Sequence, residues 1–237
     1  IDKLFLLPFD YSTTDGDLVS VDEVKRVVDL GEGDFIGFAA VDPNRKDAAE
    51  VLEYAFRDLG LAGLKLHPGK QQFYPCEERM FPLYEICLKY NKPIIFHAGI
   101  SWEPGALADY CRPIRFEPLA VRYPQLRFCL AHMGFPWVTE TAALMAKYPN
   151  IYADTGLMYF DSAQEFYNHV FDKQMDHTWV DRGIRHQLMF GTNSQRWIPS
   201  KMLQALGNLG LRQETVDLIT SQNALEFLGE EPVTWIS

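Results

Sequence analysis

The chain has 237 residues, is 47% hydrophobic and carries a formal charge of −10, which suits one large α/β domain spanning 1–237. Carboxylates outnumber scattered Lys and Arg, which excludes nucleic acid as a partner, because phosphate binding needs a basic face. No apolar run nears the about 20 residues that cross a bilayer, and the amino-terminal stretch lacks a signal peptide's basic start and cleavage site, so no membrane partner and a cytoplasmic setting are expected.

In chain order, an apolar run over 3–9 predicts a strand. The loop that follows, LPFDYSTTDGD (7–17), contains neither GxGxxG nor GxxxxGK[ST], so no phosphate-binding fingerprint is present. Ser20 precedes a helical pattern over 21–30; a strand follows at 34–41, a helix at 46–60 closed by Gly60, and a strand at 63–68. Then come a helix at 77–91, strands at 93–99 and 127–134, a helix at 136–148, a strand at 151–156, a helix at 161–171, a strand at 187–193 and a helix at 212–229 closed by Gly229. Most of the strand runs are continuously apolar, as in strands covered on both faces, and alternation with helices predicts parallel pairing through right-handed crossovers. Seven strands are legible and the chain opens inside what reads as strand two. The expected architecture is therefore a TIM-like (β/α) barrel lacking or truncated at strand one. Cys76, Cys87, Cys111 and Cys129 form no CxxC pair and read as reduced, largely buried hydrophobes.

His67, His97, His132, Asp154 and Asn193 each fall at or near the carboxyl end of a different run. In a barrel those ends share the face that carries active sites. One such histidine is ordinary packing; three point to convergent imidazoles, the way zinc and manganese sites are built, with His67 and His97 as the metal ligands. Asp154 reads as either a further ligand or a turn residue. Lys65 lies two residues before His67, on the same side of its strand, and reads as a grip for a substrate carboxylate, a structural charge partner or a modified metal-bridging ligand. Trp102, Phe135, Trp137, Tyr159 and Trp197 follow strand ends and read as walls for a planar ligand or as plain packing. His169, His177 and His186 read as surface or packing residues.

The blocks GLKLHP (63–68), PLYEICLKYNKPIIFHAG (82–99), PLAVRYPQLRFCLAHMG (118–134), PNIYADTG (149–156), LMFGTN (188–193) and NALEFLG (223–229) resemble the amidohydrolase-related family of metal-dependent TIM-barrel enzymes. That family includes aminocarboxymuconate-semialdehyde decarboxylase and the resorcylate decarboxylases. The resemblance implies His97 as a metal ligand, His132 as acid/base or water-positioning residue, one divalent metal with zinc ahead of manganese, and a homodimer through barrel-side helices. Two departures stand out: the family's strand-one His-x-His pair has no counterpart in this chain, and Asn193 stands where relatives carry aspartate. The reading is a metal-dependent hydrolase or decarboxylase of a small carboxylate-bearing, cyclic or aromatic substrate. Here His132 and Asn193 lie at the catalytic centre, and Lys65, Arg196, Trp102 and Trp197 bind substrate. The alternative is a catalytically degenerate barrel of the same family that binds a ligand or partner.

Overall fold

The computed structural model of the protein describes residues 1–156, 159–194 and 197–230. Ten strands occur among them: β1 (Leu4–Leu6), β2 (Asp10–Tyr11), β3 (Asp17–Leu18), β4 (Phe35–Gly37), β5 (Ala39–Ala40), β6 (Leu64–Leu66), β7 (Ile94–Phe96), β8 (Phe128–Leu130), β9 (Ile151–Asp154) and β10 (Leu188–Met189). Strands β5 to β10 pair in sequence order as one parallel sheet. β4 precedes β5 across a single residue, Phe38, and pairs in parallel with β1. The expected 34–41 strand is thus two short segments that serve different neighbours, and the seven expected strands follow one another β1, β4/β5, β6 to β10. The short antiparallel hairpin β2–β3 falls almost wholly in the stretch 7–17 that the sequence offered only as a loop.

Alternation along the strands divides the side chains into two layers. Leu64, Leu66, Phe96, Phe128, Leu130, Ile151, Ala153 and Leu188 pack outward with the helices in the main core, while Phe38, Ile95, Cys129, Ala131, Tyr152 and Met189 form a second buried cluster inside the sheet. Phe5 of β1 joins that inner cluster together with Met189 of β10, so the sheet curls until its two outermost strands share one interior, although they are not paired with each other. The expected TIM-like barrel is present. Phe227, Ala224 and Leu228, from the helix Asn223–Leu228, complete the inner cluster. The Arg127 guanidinium fastens this helix below the strands by donating to the carbonyls of Phe227 (2.8 Å) and Asn91 (2.9 Å).

The outer edge of β10 is covered as well. The predicted 212–229 helix is interrupted by a wide π-turn over Leu218–Gln222, and the Ile219 carbonyl accepts from Phe190 N at 2.8 Å. Asn223 Nδ2 donates to the Leu188 and Arg185 carbonyls at 2.6 and 2.7 Å. A helix at Pro199–Gly207 was not anticipated; proline opens it, where its missing N–H costs nothing, and Met202, Ala205 and Leu206 bury one face. The cysteines are free, and all but Cys76 are buried. No described helix is long and apolar enough to cross a membrane.

Candidate functional site

Because side chains repeat every second residue along a strand, the position two beyond each inward residue opens onto the carboxyl-terminal mouth of the barrel. Lys65, Ile95, Cys129 and Tyr152 are in register across β6 to β9. Two positions on come His67, His97 and Asp154, with His132 in the turn after β8. A cleft of about 700 Å³ at this mouth is lined by His67, His97 and His132, by Asn193 and Ser194, by Phe9, Tyr11 and Lys70, and by Ser101, Trp102 and Glu103. The three strand-end histidines are therefore brought together: the His67 and His97 rings stack at 4.0 Å with 10° between their planes, and His97 meets His132 at 5.2 Å and 62°.

The ring nitrogens have assigned roles. His67 caps the turn Pro68–Gln71, where its Nδ1 accepts from the backbone N–H of Lys70 at 3.2 Å. His132 Nδ1 lies 3.0 Å from the Gly156 carbonyl; a carbonyl only accepts, so Nδ1 carries the proton and Nε2 keeps the lone pair. His97 is 6% exposed and its Nε2 is buried with no hydrogen-bond partner among the described residues. A buried polar atom left so is costly and calls for an explanation. Burial first, then the neighbouring rings of His67 and His132, hold the His97 imidazole well below its usual pKa; burial, then the charge of Lys65, pushes His67 down to about 3. Both are neutral at pH 7.

Asp154 serves the turn after β8. Its Oδ1 accepts from His132 N (2.9 Å) and Gly156 N (2.8 Å). This fixes a sharp turn in which His132, Met133 and Gly134 all have positive φ (60°, 50° and 62°). Asn193 also sits at φ 50°, a conformation asparagine tolerates better than most residues. Gly99 is required for close approach: at φ +85° its Cβ would fall 2.1 Å from the Phe135 carbonyl oxygen.

Several expected substrate contacts lie elsewhere. Lys65 is not among the cleft-lining residues; it lies one layer below, where burial lowers its pKa and the Asp154 carboxylate opposes that shift. Trp197 packs against the main core and is not among the cleft-lining residues. Arg196 lies outside the described residues. Trp102 does line the cleft, 62% exposed, against Tyr159 at 4.6 Å. Phe135 stacks within the wall behind it, 6.2 Å from Tyr159. His169 packs against Phe160 at 5.2 Å and His177 beside Asp172 at 3.3 Å, neither in the cleft.

Sequence reasoning missed Phe9, Tyr11, Lys70 and Glu103. Lys70 pairs with Asp15, lies 3.5 Å from Glu103 and sits over the Tyr11 ring at 5.2 Å. The hairpin bearing Tyr11 is anchored by Asp10, which accepts from Ser12 N, Asp42 N and Arg45, and by Asp42, which accepts from Thr13 and Asn44. The nearest signal was the spacing His67-Pro-Gly-Lys70, which returns the lysine to the histidine's side of a single helical turn.

The sequence model of one family, described as Amidohydrolase, matches residues 24–229. The chain belongs to that family. Among proteins with curated descriptions, it is similar to Protein fluG of Emericella nidulans, 33% identical over 66 residues; this covers 28% of the chain and spans 8% of that protein's length. Among solved structures, an uncharacterised TIM-barrel protein from Bordetella bronchiseptica aligns with TM-score 0.80 at 20% identity, covering 96% of this chain and 78% of that one. A dihydroxybenzoic acid decarboxylase from Polaromonas, solved with bound manganese and the inhibitor 2-nitroresorcinol, aligns with TM-score 0.66 at 16% identity, covering 88% and 73%. These structural likenesses confirm the barrel.

Membership in the amidohydrolase family raises the question of a metal. His97 Nε2 is buried with no partner among the described residues and His132 turns its Nδ1 to the Gly156 carbonyl, while His67 uses its Nδ1 to accept from the Lys70 backbone. Its Nδ1 is already engaged in capping the Pro68–Gln71 turn. Among the described residues no group of three His, Cys, Asp or Glu is placed to hold a metal ion, so this donor set does not fit a complete centre.

Proposed function

We propose that this amidohydrolase-family chain is the barrel of a metal-dependent hydrolase or decarboxylase whose cleft takes a small, carboxylate-bearing, cyclic or aromatic molecule. The observation that carries the reading is the pairing of His132, whose tautomer leaves Nε2 as an acceptor, with the orphaned, buried Nε2 of His97 beside it. His132 takes and returns the proton at Nε2; the Gly156 carbonyl holds the ring in the tautomer that permits this, and Asp154 holds the backbone beneath it. Asn193, lining the same cleft, hydrogen-bonds the substrate without taking a proton. Trp102, on its Tyr159 support, offers a face to a planar ring. Arg196 is assigned to the substrate's carboxylate as its cation. A divalent ion, zinc or manganese, belongs to this reading by analogy with the manganese of the Polaromonas decarboxylase. The described residues supply only part of its coordination. Four free thiols favour a cytoplasmic setting.

His132→Ala should lower turnover of aromatic carboxylates by about 10²–10⁴-fold with the fold unchanged; equal turnover would remove His132 from its role. The degenerate-barrel reading draws on two observations, the Asn193 amide and the flat stacking of His67 on His97. Metal analysis separates the two readings. After incubation with zinc and manganese and desalting, about one equivalent lost on His97→Ala supports the enzyme, whereas none retained supports a ligand-binding barrel.

A further inference from the structure

His67 entered the site as a strand-end histidine read as a metal ligand, yet its surroundings give it a different chemistry. Its backbone N–H donates to Gln71 Oε1 at 2.8 Å, and Gln71 Nε2 in turn donates to the carbonyls of Asp10 (2.9 Å) and Val41 (3.2 Å). Gln71 is 1% exposed, so the backbone that carries the ring is locked into the first strands. The ring is fixed too: Nδ1 accepts from Lys70 N, one face lies flat on His97, and Tyr11 stands edge-on to it at 6.0 Å and 85°. A neutral imidazole whose Nδ1 accepts must carry its proton on Nε2. His67 lines the cleft, and this N–H has no partner among the described residues. His132, across His97, holds the opposite tautomer. The two outer rings of the histidine row thus offer different groups, a donor at one end and an acceptor at the other.

We propose that His67 is the hydrogen-bond donor of the cleft: its Nε2–H holds an oxygen of the bound molecule, a carboxylate or carbonyl oxygen, while the Nε2 lone pair of His132 faces the group that exchanges a proton. This rests on the small-molecule reading of the cleft and gives it a polarity. The ligand's oxygen lies toward Lys70 and Tyr11, and its proton-exchanging group lies toward Asn193. A neutral donor suits the oxygen of a polarised carbonyl or carboxylate, because it stabilises developing negative charge without giving up its proton.

The test reads the tautomers directly, on the whole chain labelled with ¹⁵N-histidine, by long-range ¹H–¹⁵N correlation. Signals are assigned with His67→Gln and His132→Gln, before and after addition of zinc chloride and, separately, sodium benzoate. The expected result is Nε2–H at His67 and Nδ1–H at His132, with zinc leaving the His67 tautomer unchanged and benzoate shifting its Nε2 signal. Loss of a donor to a charged oxygen should weaken benzoate binding about tenfold or more in His67→Phe, whereas His67→Gln, which keeps an N–H near that position, should retain most of it. An Nδ1–H tautomer at His67, or zinc bound to its ring, overturns the proposal and leaves the cleft reading intact. The stated tautomers with no benzoate bound by the unaltered protein overturn the carboxylate-binding cleft itself, and the ligand role of His67 with it.

Discussion

Where β1 and β5 deliver their ends to the barrel mouth, each carboxylate oxygen of the buried Asp10 and Asp42 accepts at least one hydrogen bond from Ser12, Thr13, Asn44, Arg45 or the Asp42 backbone. Across the mouth, where β7, β8 and β10 end, His97 Nε2 is buried without a partner among the described residues and His132, Met133 and Asn193 hold left-handed backbone. On the first side both carboxylates are satisfied, although the Ser12 hydroxyl beside them has no hydrogen-bond partner among the described residues. The second stores strain and leaves an atom unsatisfied, which proteins tolerate where a ligand is to be met. The difference separates residues that hold the site from residues that form it.

The largest effect should come from the satisfied side. Asp42→Ala removes the acceptor for two backbone and two side-chain donors at a position with no exposed surface. The expected cost is about 3 kcal/mol, read from urea unfolding midpoints at unchanged m-value. A loss under about 1 kcal/mol would mean that water replaces the carboxylate and that this side is no more rigid than the other.

Acid should expose the unsatisfied side. Burial keeps His67 and His97 neutral in the folded chain, with folded pKa values below the unfolded value of about 6.5. Above that pH neither state binds the protons and the contribution to stability is fully present. As pH falls through about 6.5 the unfolded chain takes up protons that the folded chain refuses, so stability drops. Between pH 7.5 and 6 the pair should cost about 1–2 kcal/mol, measured with chelator present. A flat profile over that window would show both rings protonating in place, and replacing both by Phe should flatten a sloping one.

These two sides were unequally legible in the sequence. The strands announce themselves because burial on both faces makes them continuously apolar, and His97 and His132 were found because they close such runs. The Asp10–Asp42 network was not, since it joins residues 32 positions apart through a hairpin of two-residue strands, too short to show any period. His67 was found by its strand position, but the backbone N–H of Lys70 that its Nδ1 accepts from is presented only once Pro68–Gln71 turns. Trp197 and the helix Pro199–Gly207 were lost for a related reason. Apolar residues after a strand end can wall a cleft or cover a core, and only packing decides which.

Two milder changes sharpen the contrast. His97→Phe removes a ring whose Nε2 makes no hydrogen bond among the described residues, so stability should change by less than about 1 kcal/mol while any retained zinc is lost. A loss of several kcal/mol would show that the ring's packing, and not its unused nitrogen, is what the fold keeps it for.

Asn193→Asp should perturb the fold least. The residue is exposed at φ 50°, which aspartate also tolerates, so stability should stay within about 0.5 kcal/mol of the parent. Its effect belongs to the site. Asn193 lines the same cleft as His97 and His132, and a carboxylate there adds an anionic oxygen to two imidazole lone pairs. Zinc should bind about tenfold more tightly, equivalent to about 1.4 kcal/mol, by competition against a chelating dye. An unchanged affinity would mean that the side chain points away from the histidines, and that the amide at this position is a feature of the loop and not of the chemistry.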